Sequence, residues 1–266
     1  MTPAHNQNDV FGDYARYYEL LYRNKDYEGE ARYVASLLRD SAPGAQTVLE
    51  LGCGTGRHAL FLSRLGYHMH GVELSPTMHE QAERLHETLP AEEKKRLAFT
   101  QGNLCSVRIP SVFDAVVSLF HVMSYQTTDQ KLDAAFETAR AHLRPGGILL
   151  FDCWHGPAVL AEKPESRVKE LENEKIAVIR NAEPVLKPFE NVVDVHYRIA
   201  IRDKANGTRS ELNEVHSMRY LFRNEIEKLC ARHRFEIMAD YQWMTQKAPE
   251  TSSWNVCYIL KLCAEK

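Results

Sequence analysis

The stretch Val48-Leu49-Glu50-Leu51-Gly52-Cys53-Gly54-Thr55-Gly56 decides the expected fold, because an apolar run passes directly into three glycines at alternate positions. Residues 47–51 predict a short buried strand, and residues 58–65 have the apolar spacing of a helix. Glycine lets the backbone turn sharply and approach a ligand closely, and the following helix N-terminus offers unpaired N–H groups. A ligand-binding strand–turn–helix unit is one interpretation, and a simple tight turn is the other.

Strands and helices continue to alternate after this unit. Further elements are predicted as strands over residues 67–73, 97–101, 113–119 and 148–152 and as helices over residues 75–89 and 129–143. Five strand–helix alternations in the first 155 residues predict an α/β fold with a doubly wound, mostly parallel sheet. Two closing strands, over residues 235–243 and 255–263, bring the expected sheet to seven strands.

The pattern changes after about residue 160, where polar and apolar side chains alternate. Residues 175–182, 191–202 and 208–220 predict extended segments, and Asn206-Gly207 predicts a hairpin because both residues tolerate positive φ. We therefore expect an antiparallel β insertion before the last helix, serving structure, oligomerisation or one wall of a substrate pocket. The expected regions are an N-terminal helical cap (1–45), a ligand-binding core (46–160), the β insertion (161–222) and the C-terminal part of the core sheet (223–266).

The composition narrows the class of protein. A formal net charge of −3 argues against a nucleic-acid partner, which usually needs a basic field. The N-terminus lacks an apolar signal segment, and the longest apolar runs, such as residues 147–151, are far shorter than a membrane span. The six cysteines form no C-x-x-C pair, which is typical of reduced, buried thiols, and no cluster has convincing metal-ligand spacing. We expect a cytoplasmic protein with no membrane segment and no metal.

Two acidic residues flank the glycine turn and indicate its ligand. The glycine spacing differs from the G-x-G-x-x-G of dinucleotide enzymes, and Glu50 would repel a pyrophosphate but suits a cationic or amino-bearing ligand. Glu73 ends the next strand, where a carboxylate can accept both hydroxyl hydrogens of a ribose. A carboxylate at a solvated strand end is the alternative interpretation of Glu73.

Five segments in a fixed order strengthen this interpretation. They are residues 48–56, Glu73-Leu74, Gln101-Gly102-Asn103-Leu104, the apolar strand at residues 113–120 and the turn Arg144-Pro145-Gly146-Gly147. Together they resemble the class I S-adenosylmethionine-dependent methyltransferases, which implies a Rossmann-like sheet. Tyr18 to Tyr22, Lys25 to Tyr27 and Glu30-Ala31 are similar to the N-terminal cap of amino-sugar N,N-dimethyltransferases, which act on nucleotide-linked deoxysugars.

The resemblance implies S-adenosylmethionine as the cofactor and methyl transfer to an amine or hydroxyl of a small molecule, with a nucleotide-linked or other sugar as the candidate acceptor. Relatives usually carry Asp at the place of Asn103, where it contacts the adenine amino group, and Asn keeps an acceptor oxygen. The residues expected to bind the cofactor are Tyr18, Glu50, Gly52, Cys53, Gly54, Gly56, Glu73, Leu74, Asn103, Leu104 and Leu119.

The loop after the fourth strand is the expected place of the acceptor, since ligands bind at the carboxyl edge of such sheets. His121 is the candidate base because histidine takes up a proton near neutral pH, although a structural histidine fits equally well. By the resemblance, Tyr125 lies near the reacting amine, and an aromatic pocket wall is the alternative. Tyr14, Tyr22 and Trp154 are expected to contact the acceptor, while the N-terminal tyrosines could instead pack on the core.

Other functions remain as alternatives. The acceptor could be a non-sugar metabolite, or the chain could bind the cofactor without turnover. The glycine spacing and Glu50 disfavour a nucleotide-dependent oxidoreductase. Phe120-His121-Val122-Met123 stands where methyltransferases that flip nucleic-acid bases carry Asn/Asp-Pro-Pro-Tyr/Phe, which disfavours that class. The unpaired edges of the insertion are compatible with a homodimer.

Overall fold

The computed structural model describes residue 17 and residues 20–264, and one sheet runs through this part of the chain. The strands are β1 (Thr47–Leu51), β2 (His68–Glu73), β3 (Leu97–Gln101), β4 (Phe113–Ser118), β5 (Leu143–His155), β6 (Arg167–Glu172), β7 (Ile176–Lys187), β8 (Val192–Asp203), β9 (Arg209–Leu221), β10 (Phe235–Gln242) and β11 (Asn255–Leu262). The helices are α1 (Tyr27–Ser41), α2 (Arg57–Arg64), α3 (Pro76–Glu87), α4 (Ala91–Lys94), α5 (Asp129–His142), α6 (Gly156–Glu162) and α7 (Arg223–His233), with a 3-10 helix at Val122–Tyr125.

Seven strands form the predicted core sheet. The order β3-β2-β1-β4-β5 is parallel throughout, β11 pairs antiparallel with β5, and β10 pairs antiparallel with β11. This confirms the doubly wound, mostly parallel α/β fold with a Rossmann-like core. The carboxyl ends of the five parallel strands therefore meet at one edge of the sheet, where the glycine turn also lies.

Alternate residues of the central strands serve two separate cores, which explains why the strands read as continuous apolar runs. Leu49 and Leu149 pack with the helices α5 and α7 on one face. Val48 and Leu150 pack with α1 and α2 on the other face. Because both faces are covered, the polar groups at the strand ends remain the ones that can meet a ligand.

The insertion is a four-stranded antiparallel meander, β6-β7-β8-β9, which joins the core where β9 pairs in parallel with the end of β5. The predicted hairpin is confirmed, since Gly207 lies between β8 and β9 with φ +73°. The strand β6 was not predicted, because its side chains are nearly all exposed and lack the apolar alternation that indicates a strand. The predicted domain boundaries stay predictions.

The fifth strand is longer than the sequence predicts. The segment Arg144-Pro145-Gly146-Gly147 is an irregular part of β5 rather than a turn before it, with φ +79° at Gly146 and a register shift against β4. At its other end β5 continues to His155, because β11 and β9 both pair with it there. This extension carries Asp152 and Trp154 to the ligand edge. Within residues 20–264, no helix is long and apolar enough to cross a membrane.

Candidate active site

A cavity of about 310 Å³ opens at the carboxyl edge of β1 to β5 and continues under the insertion. Twelve of the residues predicted to bind cofactor or acceptor line this cavity, namely Tyr22, Gly52, Cys53, Gly54, Glu73, Leu74, Asn103, Leu104, Leu119, His121, Tyr125 and Trp154. Tyr14 and Tyr18 lie outside the described residues. Glu50 and Gly56 are the two described predictions that do not line the cavity.

The glycine turn is fixed to the neighbouring strand. The backbone N–H groups of Gly52 and Cys53 both donate to the carbonyl of Val72, over 2.8 and 3.0 Å. Gly52 has φ +79°, and a Cβ atom there would lie 2.5 Å from a methyl group of Val122. Side chains other than glycine are therefore disfavoured by backbone conformation and by space. At Gly52 the cavity is consequently lined by backbone atoms without a side chain.

Gly56 serves packing instead of the cavity wall. It begins α2 with φ +76°, and a Cβ atom there would lie 2.5 Å from the ring of Phe99. Its role is close approach between the helix and the sheet, as the third glycine has in related βα units.

Glu73 is held rigidly at the cavity wall. Its Oε2 accepts a hydrogen bond from the Gly54 N–H over 2.9 Å, and its Oε1 accepts one from the Ser75 N–H over 2.8 Å. Burial raises the pKa of the carboxyl, while these backbone donors oppose the rise. Each carboxylate oxygen has two lone pairs, so both can accept a further hydrogen bond from a ligand.

Glu50 lies beneath the turn, with 1% of its surface exposed. Burial raises the pKa of this carboxyl to about 8. Within the described part of the chain, its Oε2 has no hydrogen-bond partner, and its Oε1 lies 3.9 Å from Nδ1 of His58. His58, which sequence reasoning missed, lines the cavity and reaches Glu30 through its Nε2 over 2.8 Å. Glu50 therefore lies behind the cavity lining, with His58 between them, and its contact with a ligand stays a prediction.

Asn103 lines the cavity and also stabilises the turn that follows β3. Its Oδ1 accepts a hydrogen bond from the Cys105 N–H over 2.8 Å, as Asn commonly does in turns. We expected this oxygen to accept a hydrogen bond from an amino group of the ligand. It keeps a second lone pair for that contact, and the side-chain amide nitrogen can donate a hydrogen bond beside it.

His121 is turned into the cavity by an unusual backbone. Phe120 and His121 both have left-handed φ values, of 64° and 63°, which cost about 1–3 kcal/mol for each non-glycine residue. Asp152, 1% exposed on β5, holds this conformation. Its carboxylate accepts hydrogen bonds from the His121 N–H over 3.1 and 3.2 Å, and its Oδ2 lies 2.7 Å from Nδ1 of the ring. This short contact lies outside hydrogen-bond geometry and becomes an ion pair when the ring is protonated, so Nε2 is the ring nitrogen that could meet a ligand.

Tyr125 connects the core to the insertion. Its hydroxyl lies 2.7 Å from Nδ1 of His216 on β9, and burial raises the pKa of this tyrosine well above its usual value. Nε2 of His216 in turn lies 3.4 Å from Oε2 of Glu214. Tyr17, one of the N-terminal tyrosines, is buried and donates to the same oxygen over 2.8 Å.

The N-terminal segment covers the cavity over Phe120. The ring of Tyr22 meets that of Phe120 edge-on, with centroids 5.0 Å apart. Nζ of Lys25 lies 4.0 Å from the centroid of the same ring and forms an ion pair with Glu30. Trp154 also lines the cavity, and its backbone N–H donates to the hydroxyl of Ser124 over 3.0 Å.

Within the described residues, no group of three or more His, Cys, Asp or Glu side chains could hold a metal ion.

Comparison with known proteins identifies the family. A methyltransferase-domain profile matches residues 48–147. The chain is 30% identical over 220 residues to the dTDP-3-amino-3,4,6-trideoxy-alpha-D-glucopyranose N,N-dimethyltransferase of Streptomyces venezuelae, covering 81% of this chain and 86% of that protein. The chain belongs to the S-adenosylmethionine-dependent methyltransferases. This methyltransferase is also 31% identical, over 57% of each chain, to a dTDP-3-amino-3,6-dideoxy-alpha-D-glucopyranose N,N-dimethyltransferase of Streptomyces fradiae.

Solved structures share the fold of the methyltransferase. A methyltransferase from Clostridium acetobutylicum superposes with a TM-score of 0.79 at 19% identity and covers 96% of this chain and 99% of that chain. The sugar N-methyltransferase KedS8 from a Streptoalloteichus species superposes with a TM-score of 0.77 at 24% identity, with 93% of each chain covered. The superposition extends over nearly the whole chain, so the insertion belongs to the shared architecture.

The cavity of the methyltransferase suits S-adenosylmethionine. A floor of bare backbone at Gly52 allows close approach, and the Glu73 carboxylate is oriented by two N–H groups. Leu104 and Leu119 supply an apolar wall beside them. Arg57 also lines this half of the cavity and brings a positive charge near the glycine turn.

Sequence reasoning missed two residues that line the acceptor half of the cavity and two that contact its lining residues from outside. His216 and Tyr197 come from the insertion, which was expected only in general terms to form a wall. Glu214 and His216 occupy alternate buried positions on β9, where an apolar pair would be usual. Asp152 interrupts the apolar run of β5 with a buried charge. In each case a polar residue at a position predicted to be in the core could have indicated a functional residue.

Proposed function

We propose that the methyltransferase transfers a methyl group to the amine of a nucleotide-linked amino sugar. The observation that carries the proposal is the shape of the cavity, which runs without interruption from the glycine turn to the insertion and has His121 at their junction. Two relatives that share 30% and 31% identity with this chain are named as N,N-dimethyltransferases of such sugars. The similarity to the first of them extends over the insertion as well as the core.

Glu73 and the glycine turn would hold the cofactor. In this assignment the Glu73 carboxylate accepts the ribose hydroxyl hydrogens, and Asn103 donates to the adenine edge. Gly52, Cys53 and Gly54 would face the methionine end with their backbone, and Leu104, Leu119 and Leu74 would pack against the adenine. When bound, S-adenosylmethionine supplies a methyl group on a positively charged sulfur, which is already an excellent leaving group.

His121 would act as the base for the acceptor. An amine is mostly protonated at neutral pH, and its nitrogen needs a free lone pair to form the new bond. Because the Asp152 carboxylate lies against Nδ1, Nε2 of His121 would be the atom that takes the proton. Asp152 would stabilise the resulting imidazolium and hold the ring in place, which makes it a positioning residue.

Tyr22, Tyr125 and Trp154 would orient the acceptor and exclude water. The raised pKa of Tyr125 keeps it a neutral hydroxyl, so it suits hydrogen bonding better than direct proton abstraction. Positioning of the amine against the methyl group is the main contribution expected of the protein, since the reaction is an in-line displacement.

A panel assay tests the proposed function. The purified chain is incubated with S-adenosylmethionine and, in separate reactions, with dTDP-linked amino sugars, the matching hydroxy sugars, free amino acids and peptides, and products are counted by mass spectrometry. We expect methylation of the amino sugars, by one or two methyl groups, and none of the hydroxy sugars. Turnover of an amino acid or peptide alone would assign a non-sugar acceptor. Cofactor binding with no methylation of any compound would support a binding protein without turnover.

We also infer a cytoplasmic location and retain the homodimer as a prediction. All six cysteines are free, which fits a reducing compartment.

The homodimer prediction rests on the edge of the insertion. Within residues 20–264, β6 pairs only with β7 and leaves one sheet edge open to a second copy. Light scattering of the purified chain checks the dimer, and a monomer at high concentration would contradict it.

A further inference from the structure

Two histidine–carboxylate pairs contribute a histidine to the lining of the acceptor half of the cavity. The first, His121 with Asp152, comes from the core. The second, His216 with Glu214, comes from β9 of the insertion and reaches the cavity through the Tyr125 hydroxyl. The side chains of His216 and Glu214 are only 4% and 5% exposed. Burying a polar side chain costs stability unless it is hydrogen-bonded, and both of these side chains have hydrogen-bond partners.

The second pair has the geometry of a proton relay. Tyr125 and His216 are joined by a short hydrogen bond of 2.7 Å, and the His216 ring has Glu214 behind it at 3.4 Å. With Nδ1 as the acceptor, the Nε2–H donates to Glu214, and both ring nitrogens are satisfied. Oε1 of Glu214 has no hydrogen-bond partner among the described residues, so the carboxylate retains capacity to stabilise a positive ring.

We propose that His216, with Glu214, takes up a second proton from the acceptor through the hydroxyl of Tyr125. The inference rests on the proposed amine methylation. A protonated primary amine must lose one proton before the first transfer and another before a second transfer. The first proton goes to His121. The second passes from the methylated nitrogen to the Tyr125 oxygen while the Tyr125 hydroxyl proton moves to Nδ1 of His216, which leaves an imidazolium facing Glu214 and restores the tyrosine.

Several charged and titratable groups surround His216. Glu214 faces it from the same strand, and the rings of Tyr125 and Tyr197 meet it from the 3-10 helix and from β8. Arg180 on β7 stacks on Tyr197, with its guanidinium 4.6 Å from the ring centroid. The hydroxyl of Tyr17, bonded to Glu214, fixes the carboxylate from the N-terminal side. Glu214 contacts the His216 ring directly, whereas Arg180 contacts the ring of Tyr197.

The first test needs no turnover. Nitrogen-15 NMR of labelled histidines, on the full chain saturated with S-adenosylhomocysteine, reports the tautomer of His216, and His216→Asn assigns the signal. We expect the Nε2–H tautomer and a change in the Nδ1 signal in Tyr125→Phe, which loses the hydrogen bond. An Nδ1–H tautomer would overturn the proposal whatever the acceptor is, because Tyr125 could then not pass a proton to the ring.

The second test is kinetic and uses the amino sugar that the panel assay identifies. His216→Asn keeps an acceptor for the Tyr125 hydroxyl but cannot become charged, so we expect kcat to fall at least about 10-fold and to lose its dependence on pH near neutrality. Tyr125→Phe is expected to lose a similar factor, and the double variant no more than either single variant, because residues of one relay act as a unit.

Controls separate the relay from simple packing. Affinity for S-adenosylmethionine within about twofold of wild type shows that each variant is folded, and His196→Asn, at an exposed histidine on β8, is expected to keep wild-type kcat. An increase in KM with unchanged kcat would mean that His216 only lines the pocket and would overturn the relay. Absence of amine methylation in the wild type would contradict the proposed function, while the NMR result would still decide whether Tyr125 donates to His216.

Discussion

The cofactor half and the acceptor half of the cavity hold their polar groups by different means. In the cofactor half, backbone N–H groups fix the Glu73 carboxylate, and the residues that donate them, Gly54 and Ser75, lie 19 and 2 positions from it in the sequence. In the acceptor half, the bonded pairs are side chains from separate elements, with Tyr125 and His216 91 positions apart. The first arrangement depends on local backbone conformation. The second arrangement depends on how the insertion packs against the core. Its residues can therefore differ between enzymes with different acceptors while the fold stays the same.

The largest expected effect is at the backbone of the cofactor half. In Gly52→Ala the new methyl group meets Val122 while the residue keeps a left-handed φ, so we expect affinity for S-adenosylmethionine to fall about 100-fold or more. Calorimetric titration measures the affinity. Gly66→Ala is the matched control, since Gly66 also has positive φ but has open space around it and lies outside the cavity lining. Equal losses of affinity in the two variants would reduce the role of Gly52 to general backbone strain.

The next effect belongs to the acceptor half. Asp152→Asn keeps the shape of the carboxylate but removes the charge that stabilises the His121 imidazolium, so we expect kcat to fall about 100-fold with cofactor affinity nearly unchanged. Steady-state kinetics on the methylated amine measures it. Asp133→Asn removes the carboxylate of another His–Asp pair, which His233 forms outside the cavity lining, and is expected to leave kcat unchanged. Wild-type kcat in Asp152→Asn would make His121 a structural residue.

A smaller effect distinguishes the two carboxylates near the glycine turn. Glu73→Gln replaces a charged acceptor of ribose hydroxyls by a neutral one, and the loss of affinity for S-adenosylmethionine is expected to be about 10-fold. Glu50→Gln should change it by less than about threefold, because the Glu50 side chain does not line the cavity. Calorimetry on both variants measures the difference. A larger loss in Glu50→Gln than in Glu73→Gln would reverse the two assignments.

The effect expected to matter least for activity is a pH dependence of the free energy of unfolding that comes from Glu50. Burial raises its pKa to about 8 in the folded chain, so the folded state holds a proton that the unfolded state releases at lower pH. The contribution of Glu50 is therefore fully present below the unfolded pKa and is lost as pH rises, by up to about 1.4 kcal/mol per pH unit between about pH 5 and pH 8. Urea unfolding of wild type and Glu50→Gln checks this. A wild-type stability that stays constant relative to the variant over that range would show that Glu50 is charged in the fold.

The same contrast explains what the sequence could predict. The glycine turn and Glu73 follow from local patterns, so the core fold and most of the cofactor half could be predicted. His121 and Tyr125 were found by their place after β4. Asp152, Tyr197 and His216 could not be paired with them, because strand alternation tells which side chains are buried and does not tell which strand meets which loop. The long β5 was misjudged for a related reason, since only pairing with β9 and β11 extends it.

The most direct test of this account is a crystal structure of the chain with S-adenosylhomocysteine and a dTDP-linked amino sugar. We predict that the amine nitrogen lies in the acceptor half, within hydrogen-bond reach, about 2.6–3.2 Å, of Nε2 of His121 or of the Tyr125 hydroxyl. The Glu73 carboxylate is predicted to contact the ribose in the cofactor half of the same cavity. An amine bound away from both His121 and Tyr125, with the insertion making no contact to the sugar, would contradict the account.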